Sequence, residues 1–253
     1  VWKPAEQTPW CGQTIAEMFD DAGIPDGVFN MVQGYGDAGN AIVEDERVDT
    51  VLFTGSAEVG HKVAGKIGGQ PGRSACCEMG GKNAIIVTEN ADLDIALHSA
   101  VMSSFKTTGQ RCVSSERLIV HEEVYDEFKS RFVDLAEDVA VGDPLDESTF
   151  MGPVVDESQV EKFGRFNDLA QTEGATVLVD REELDDAEIP DGFEDGFWVG
   201  PFVYEVDYDP DLRCIREEVF GPHVALIEYS GTIEDAVEIH NAVDYGLAGA
   251  IIS

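Results

Sequence analysis

Val48-Asp49-Thr50-Val51-Leu52-Phe53-Thr54-Gly55-Ser56, followed by Ala57-Glu58-Val59-Gly60-His61-Lys62-Val63-Ala64-Gly65-Lys66-Ile67, is the stretch that decides the fold. Its first part is β-rich and stops at Gly55-Ser56. Val59, Val63 and Ile67 then recur every four residues as one face of a helix. Upstream, residues 8–22 carry apolar positions at helical spacing, and Gly23-Ile24-Pro25-Asp26-Gly27 reads as a turn. Val28 to Val32 reads as a strand and Asp37 to Glu46 as a helix. Helix, strand, helix, strand, helix is the rhythm of a parallel sheet with helices packed on it.

Downstream the rhythm continues. Strands are expected at Ala84–Thr88, Arg117–His121, Thr176–Val179, Trp198–Tyr204, Val224–Ile227 and Ala248–Ile252. Helices are expected at Leu93–Phe105, Val124–Val139, Asp156–Glu173 and Ile233–Val243. The glycine pair Gly80-Gly81 is the natural domain boundary, dividing residues 1–80 from 81–253. Between Asp180 and Asp195, nine acids and one base fall in sixteen residues, with Pro190 and Gly192, which reads as a solvated loop or insertion.

Composition excludes several function classes. The chain has 51 acidic and 16 basic residues, a formal charge of −35, and the acid is spread along its whole length. A solvated anionic shell of this kind suits a salt-rich cytoplasm, where self-repulsion is screened. The same field repels nucleic acid and anionic membranes, and no apolar run approaches the length of a membrane span. Five cysteines, Cys11, Cys76, Cys77, Cys112 and Cys214, are odd in number and irregular in spacing, which points to a reducing, cytoplasmic compartment. No CxxC or HxxxH pair supports a metal site. The opening Val1-Trp2-Lys3 shows no signal peptide and, with the terminal strand at 248–252, suggests a piece of a longer protein.

Several segments carry candidate chemistry. Gly34-Tyr35-Gly36-Asp37-Ala38-Gly39 matches a dinucleotide fingerprint in the expected strand-to-helix context. Phe53-Thr54-Gly55-Ser56 competes with it, because it ends a strand at a helix N-terminus, where free N–H groups favour phosphate. Cys112 follows the polar loop Thr107-Thr108-Gly109-Gln110-Arg111, in contrast to a buried structural cysteine, and an inward Arg111 would favour its thiolate. Glu78 stands 34 residues upstream. A thiol and a carboxylate brought together describe acyl chemistry. Glu78, the Glu217-Glu218 pair and Lys3 read equally well as surface residues, and spacing alone leaves both readings open.

Taken together, these segments resemble the aldehyde dehydrogenase superfamily over nearly the whole chain. The matching runs, in order, are Lys3-Pro4-Ala5-Glu6-Gln7-Thr8-Pro9, Gly34-Tyr35-Gly36, Phe53-Thr54-Gly55-Ser56, Glu78-Met79-Gly80-Gly81-Lys82-Asn83, Gly109-Gln110-Arg111-Cys112 and Glu217-Glu218-Val219-Phe220-Gly221-Pro222. The resemblance implies an α/β fold, with the later part of a Rossmann-like cofactor domain in residues 1–80 and an α/β catalytic domain in 81–253. It implies oxidation of a small-molecule aldehyde to a carboxylate, with Cys112 as nucleophile and Glu78 as general base. It assigns Lys3 and Glu6 to the adenosine ribose of the cofactor, Gly55 and Ser56 to its near neighbourhood, and Glu218 and Phe220 to the nicotinamide ribose and ring. Gly34 and Gly39 become turn formers, and Gly36 stays as a close approach. A carboxylate at Glu6 repels a 2′-phosphate, so NAD is expected over NADP, with NADP as the alternative.

The resemblance also implies parts outside this stretch. These are an upstream strand with an oxyanion-hole Asn, the early cofactor domain, and a C-terminal segment that pairs subunits into a homo-oligomer. Met79 resembles semialdehyde-oxidising members of the family. Two rivals stand beside this reading. One is a CoA-acylating enzyme, disfavoured by the carboxylate at Glu78; the other is an inert fragment or acidic interaction module.

Overall fold

The computed structural model describes residues 1–182, 184 and 188–253. It falls into two compact units, Val1–Met79 and Gly80–Ser253. Both are mixed α/β.

In the first unit, helices α1 (Pro9–Asp21), α2 (Gly36–Glu44) and α3 (Ala57–Ile67) accompany strands β1 (Thr50–Thr54) and β2 (Ser74–Glu78), which pair in parallel. Val43, Val51, Val63 and Ile67 form the core, with Phe53, Ala75 and Cys77 packed against it. Cys76 and Cys77 therefore part company: strand alternation turns Cys77 toward the core and leaves Cys76 exposed. Ser56 caps α3, accepting the Val59 N–H at 3.4 Å. The strand expected at Val28–Val32 is reduced to a single bridge between Trp2 and Met31. Two hydrogen bonds, Trp2 N to Asn30 O and Val32 N to Trp2 O, serve this short stretch between left-handed Gly27 and Gly34.

The second unit is built on a six-stranded sheet in the order β5 (Thr176–Asp180), β6 (Phe202–Glu205), β7 (His223–Tyr229), β4 (Ser115–His121), β3 (Asn83–Val87), β8 (Gly249–Ile252). The central strands are apolar on both faces, as a parallel sheet covered on both sides requires. Ala84, Ile86 and Ile119 face one core with α6 (Glu157–Thr172) and α7 (Ile233–Asn241). Ile85, Val87, Leu118 and Val120 face the other with α4 (Leu93–Phe105) and α5 (Glu122–Glu137).

Two expectations change here. Strand β5 runs antiparallel to β6, whereas every other pair in the sheet is parallel. A parallel return needs a crossover, usually a helix, and the described residues between Arg181 and Pro201 form none. The strand expected from Trp198 begins only at Phe202, because Pro201 has no N–H to give the ladder. Glu183 and Asp185 to Ala187, part of the expected acidic loop, lie outside the described residues. Among the described residues no helix is long and apolar enough to cross a membrane.

Candidate active site

The candidate residues distribute over both units. In the first, the Lys3 ammonium donates to Glu6 Oε2 at 3.1 Å, Pro4 O at 2.7 Å and Gly34 O at 2.8 Å. This joins Lys3, Glu6 and the Gly34 turn. Gly36 opens α2, and a Cβ placed there would meet nothing. Gly55 and Ser56 are exposed at the N-terminus of α3, where the helix presents its unpaired N–H groups. Glu78 ends β2 opposite Thr54, with its side chain exposed and its carbonyl accepting the Gly55 N–H at 3.1 Å.

In the second unit, three consecutive residues hold the remaining candidates together. Gly81 N donates to Glu218 Oε1 at 2.9 Å. Lys82 Nζ donates to Glu116 Oε2 at 2.6 Å, and Glu116 in turn accepts the N–H groups of Val219 and Phe220. Asn83 Nδ2 donates to the carbonyls of Cys112 at 2.8 Å and Ser114 at 2.9 Å, while its Oδ1 accepts from Ala248 N at 3.0 Å. The run 81–83 thus anchors Cys112 on one side and the Glu218–Phe220 turn on the other.

The loop before Cys112 is strained. Thr107 and Thr108 have φ of 58° and 57°, and Gly109 has φ 67°. Left-handed backbone costs an L-residue about 1–2 kcal/mol, so neighbours must hold this turn in place. Thr108 Oγ1 donates to Gly152 O at 2.9 Å, and Gln110 Oε1 accepts the Val155 N–H at 3.1 Å. A Cβ at Gly109 would collide with the Gly221 carbonyl, so this position requires glycine twice over. Cys112 itself is half-buried. Arg111, which would favour the thiolate if turned inward, is taken up by backbone carbonyls. Its guanidinium donates to the carbonyls of Met102 and Ser103, at the end of α4, where a cation complements the helix dipole.

The two adjacent carboxylates part in the same way. Glu217 pairs with Arg213 at 2.6 Å, and that hydrogen bond holds its carboxyl below the usual range. Glu218 turns inward; burial raises its pKa against the opposing Gly81 hydrogen bond. Its carboxylate lies so close to Gly80 that a Cβ there would overlap it. Phe220 has φ 64°, with its N–H on Glu116 at 2.8 Å and its carbonyl on Gln159 Nε2 at 2.9 Å.

Known proteins give this arrangement its context. The aldehyde dehydrogenase family model matches residues 1–253. The chain belongs to the aldehyde dehydrogenase family. It is 39% identical over 259 residues to a 1-pyrroline-5-carboxylate dehydrogenase of Geobacillus sp. (strain WCH70), covering 99% of this chain and 48% of that protein. It is 34% identical over 255 residues to a betaine aldehyde dehydrogenase of Brucella anthropi, covering 100% and 50%. The crystal structure of an NAD-dependent aldehyde dehydrogenase from Sinorhizobium meliloti superposes with a TM-score of 0.91 at 37% identity, covering 99% of this chain and 48% of that one. The chain therefore spans about half the length of the aldehyde dehydrogenases it matches.

Sequence reasoning missed the residues that hold the candidates. Lys82 and Asn83 lie inside a quoted motif, yet nothing local says that one is paired with Glu116 and the other bonded to Cys112. The available signal was a charge in an apolar strand: Glu116 and Arg117 stand in β4, where a solvated residue has no place. Gln159, thinly marked by its position on an amphipathic helix, carries no such signal.

Proposed function

We propose that the protein containing this chain oxidises an aldehyde to a carboxylate with NAD, with Cys112 as nucleophile and Glu78 as general base. One observation carries the reading: within a chain that matches the aldehyde dehydrogenase family from end to end, Cys112 is half-buried and held through its carbonyl by Asn83. A cysteine fixed by its backbone keeps its thiol available for attack on a carbonyl.

The chemistry then runs on the chain's own residues. The Cys112 thiolate adds to the aldehyde carbon and forms a thiohemiacetal. Loss of a hydride from that carbon leaves a thioester on Cys112. Glu78 takes a proton from water, the resulting hydroxide attacks the thioester, and the carboxylate leaves as the thiol is restored. Bound NAD⁺ supplies the hydride acceptor. The residues fit such a group: the exposed N-terminus of α3 at Gly55 and Ser56 suits phosphate oxygens, and the inward Glu218 carboxylate suits ribose hydroxyls. Lys3 and Glu6, already paired, would hold the second ribose, and the Glu6 charge disfavours a 2′-phosphate there.

The test is NADH absorbance from the whole protein in high KCl with NAD⁺ and a panel of aldehydes that includes the pyrroline-derived semialdehyde and betaine aldehyde. NADH is expected from wild type and none from Cys112→Ala. Equal rates from both proteins would remove Cys112 from the mechanism.

A further inference from the structure

Glu116 is a charge placed in a buried strand: it is 3% exposed, at the second position of β4. Its setting explains why. Asn83 pairs with Ser115 and Ala84 with Arg117, so Glu116 is the extra residue of a β-bulge between β3 and β4. A bulge breaks strand alternation and re-aims one side chain, and bulges gather beside active sites. Here the re-aimed carboxylate meets Lys82 Nζ at 2.6 Å and reaches Val219 N at 3.0 and 3.1 Å and Phe220 N at 2.8 Å, more than a hundred residues along the chain.

We propose that Glu116 is a positioning residue that sets the direction of Glu218 and Phe220. The proposal rests on the reading of those two as cofactor-holding residues. The peptide groups of the turn are clamped from both sides. Glu116 takes the N–H groups of Val219 and Phe220, and Gln159 Nε2 donates at 2.9 Å to the carbonyls of the same two residues. Phe220 is held there in left-handed backbone, which a phenylalanine does not adopt without constraint. Lys82 balances the charge, as a buried carboxylate requires. Lys162 adds a second cation that interacts with both Glu116 and Glu218. A glutamine at 116 would offer one acceptor oxygen in place of the two that Glu116 uses, so it could not accept from the Lys82 ammonium and both amides together.

The experiment compares the whole protein with Glu116→Gln and Glu116→Asp. Amide hydrogen exchange is followed over residues 217–222, and KM for NAD⁺ and kcat are measured with one aldehyde. Glu116→Gln is expected to speed exchange at Val219 and Phe220, and to raise KM for NAD⁺ roughly tenfold with a smaller change in kcat. Glu116→Asp, which keeps the charge, should recover part of both effects. If Glu116→Gln does not fold, the double variant Lys82→Met with Glu116→Gln removes both charges and carries the same expectation. Unchanged exchange overturns the proposal. Faster exchange with unchanged KM and kcat also overturns it, since the turn would then be loosened without consequence for the cofactor. If wild type makes no NADH, the activity reading falls separately, and hydrogen exchange alone then decides whether Glu116 orders the turn.

Discussion

The amide of Asn83 donates to the Cys112 carbonyl at 2.8 Å, in a residue only 3% exposed that stands at the start of a central strand. The bond joins the candidate nucleophile to a strand whose five residues are all buried. Asn83→Ala would leave the carbonyls of Cys112 and Ser114 short of a donor in a largely buried setting, at a cost of about 1–3 kcal/mol. The expected outcome is a lower urea midpoint and a fall in kcat of roughly tenfold or more, since small misplacements of a reacting group are expensive. Asn83→Asp should be worse than Asn83→Ala, because it sets an acceptor against two acceptors. Urea titration and steady-state kinetics check both variants. An Asn83→Ala protein with wild-type kcat would show that Cys112 is placed without this bond.

Gly80 and Glu218 form a second pair that a single methyl group tests. A Cβ at Gly80 would overlap the Glu218 carboxylate, which is held there by Gly81 N at 2.9 Å. Gly80→Ala should therefore displace the carboxylate and weaken NAD⁺ binding. Glu218→Ala should do the same by deletion, and the double variant should be little worse than either single one. Titration of NAD⁺ into the four proteins gives the coupling directly. Additive losses would mean that the glycine serves the backbone rather than the carboxylate.

What the sequence discloses and what it hides follows from range. Ala84 to Val87 and Val224 to Ile227 are apolar on both faces, so their place in a covered parallel sheet can be read from composition. Ser74–Glu78 is a strand without a β-branched or aromatic residue, and its only mark is the alternation that separates Cys76 from Cys77. The antiparallel β5 is invisible because direction depends on the route of residues 181–201. The candidate residues stand out as motif members, but their supports do not. Asn83 reaches Cys112 across 29 residues and Glu116 reaches Phe220 across 104. Left-handed backbone at Thr107, Thr108 and Phe220 is equally hidden, since local preference opposes it and tertiary contacts impose it.

The charge of −35 makes a prediction about salt. Acidic side chains such as Asp126, Asp94 and Asp244 are 83–98% exposed even where they face a cation, so their ion pairs contribute little and their repulsion is felt by the whole surface. Raising KCl from about 0.1 M to 1 M shortens the screening length from about 10 Å to about 3 Å. The midpoint of thermal unfolding should climb steadily over that range, and tetramethylammonium chloride should substitute for much of the effect if screening is the cause. A midpoint independent of KCl would mean that the anionic surface does not limit stability.

One pH dependence of stability comes from His223. It is fully buried, stacked on Phe202 at 5.5 Å and 12°, with Phe163, Phe166 and Tyr204 around it. Burial, reinforced by the Lys82 charge, holds its pKa well below the ordinary 6.5. The folded chain therefore binds fewer protons at this site than the unfolded chain does. The site's contribution is complete above pH 6.5 and is lost as the pH falls toward the folded value. His223→Phe keeps a ring on Phe202 and removes the titration. Compared with wild type by urea unfolding at constant high KCl, the variant should show a constant stability difference at pH 7 to 8. Below about pH 6.5 the difference should move in the variant's favour, at a limiting slope of about 1.4 kcal/mol per pH unit. The carboxylates and the other histidines are present in both proteins, and their titration cancels in the difference. A difference that stays flat down to pH 5 would show that the imidazole finds a way to ionise inside the fold.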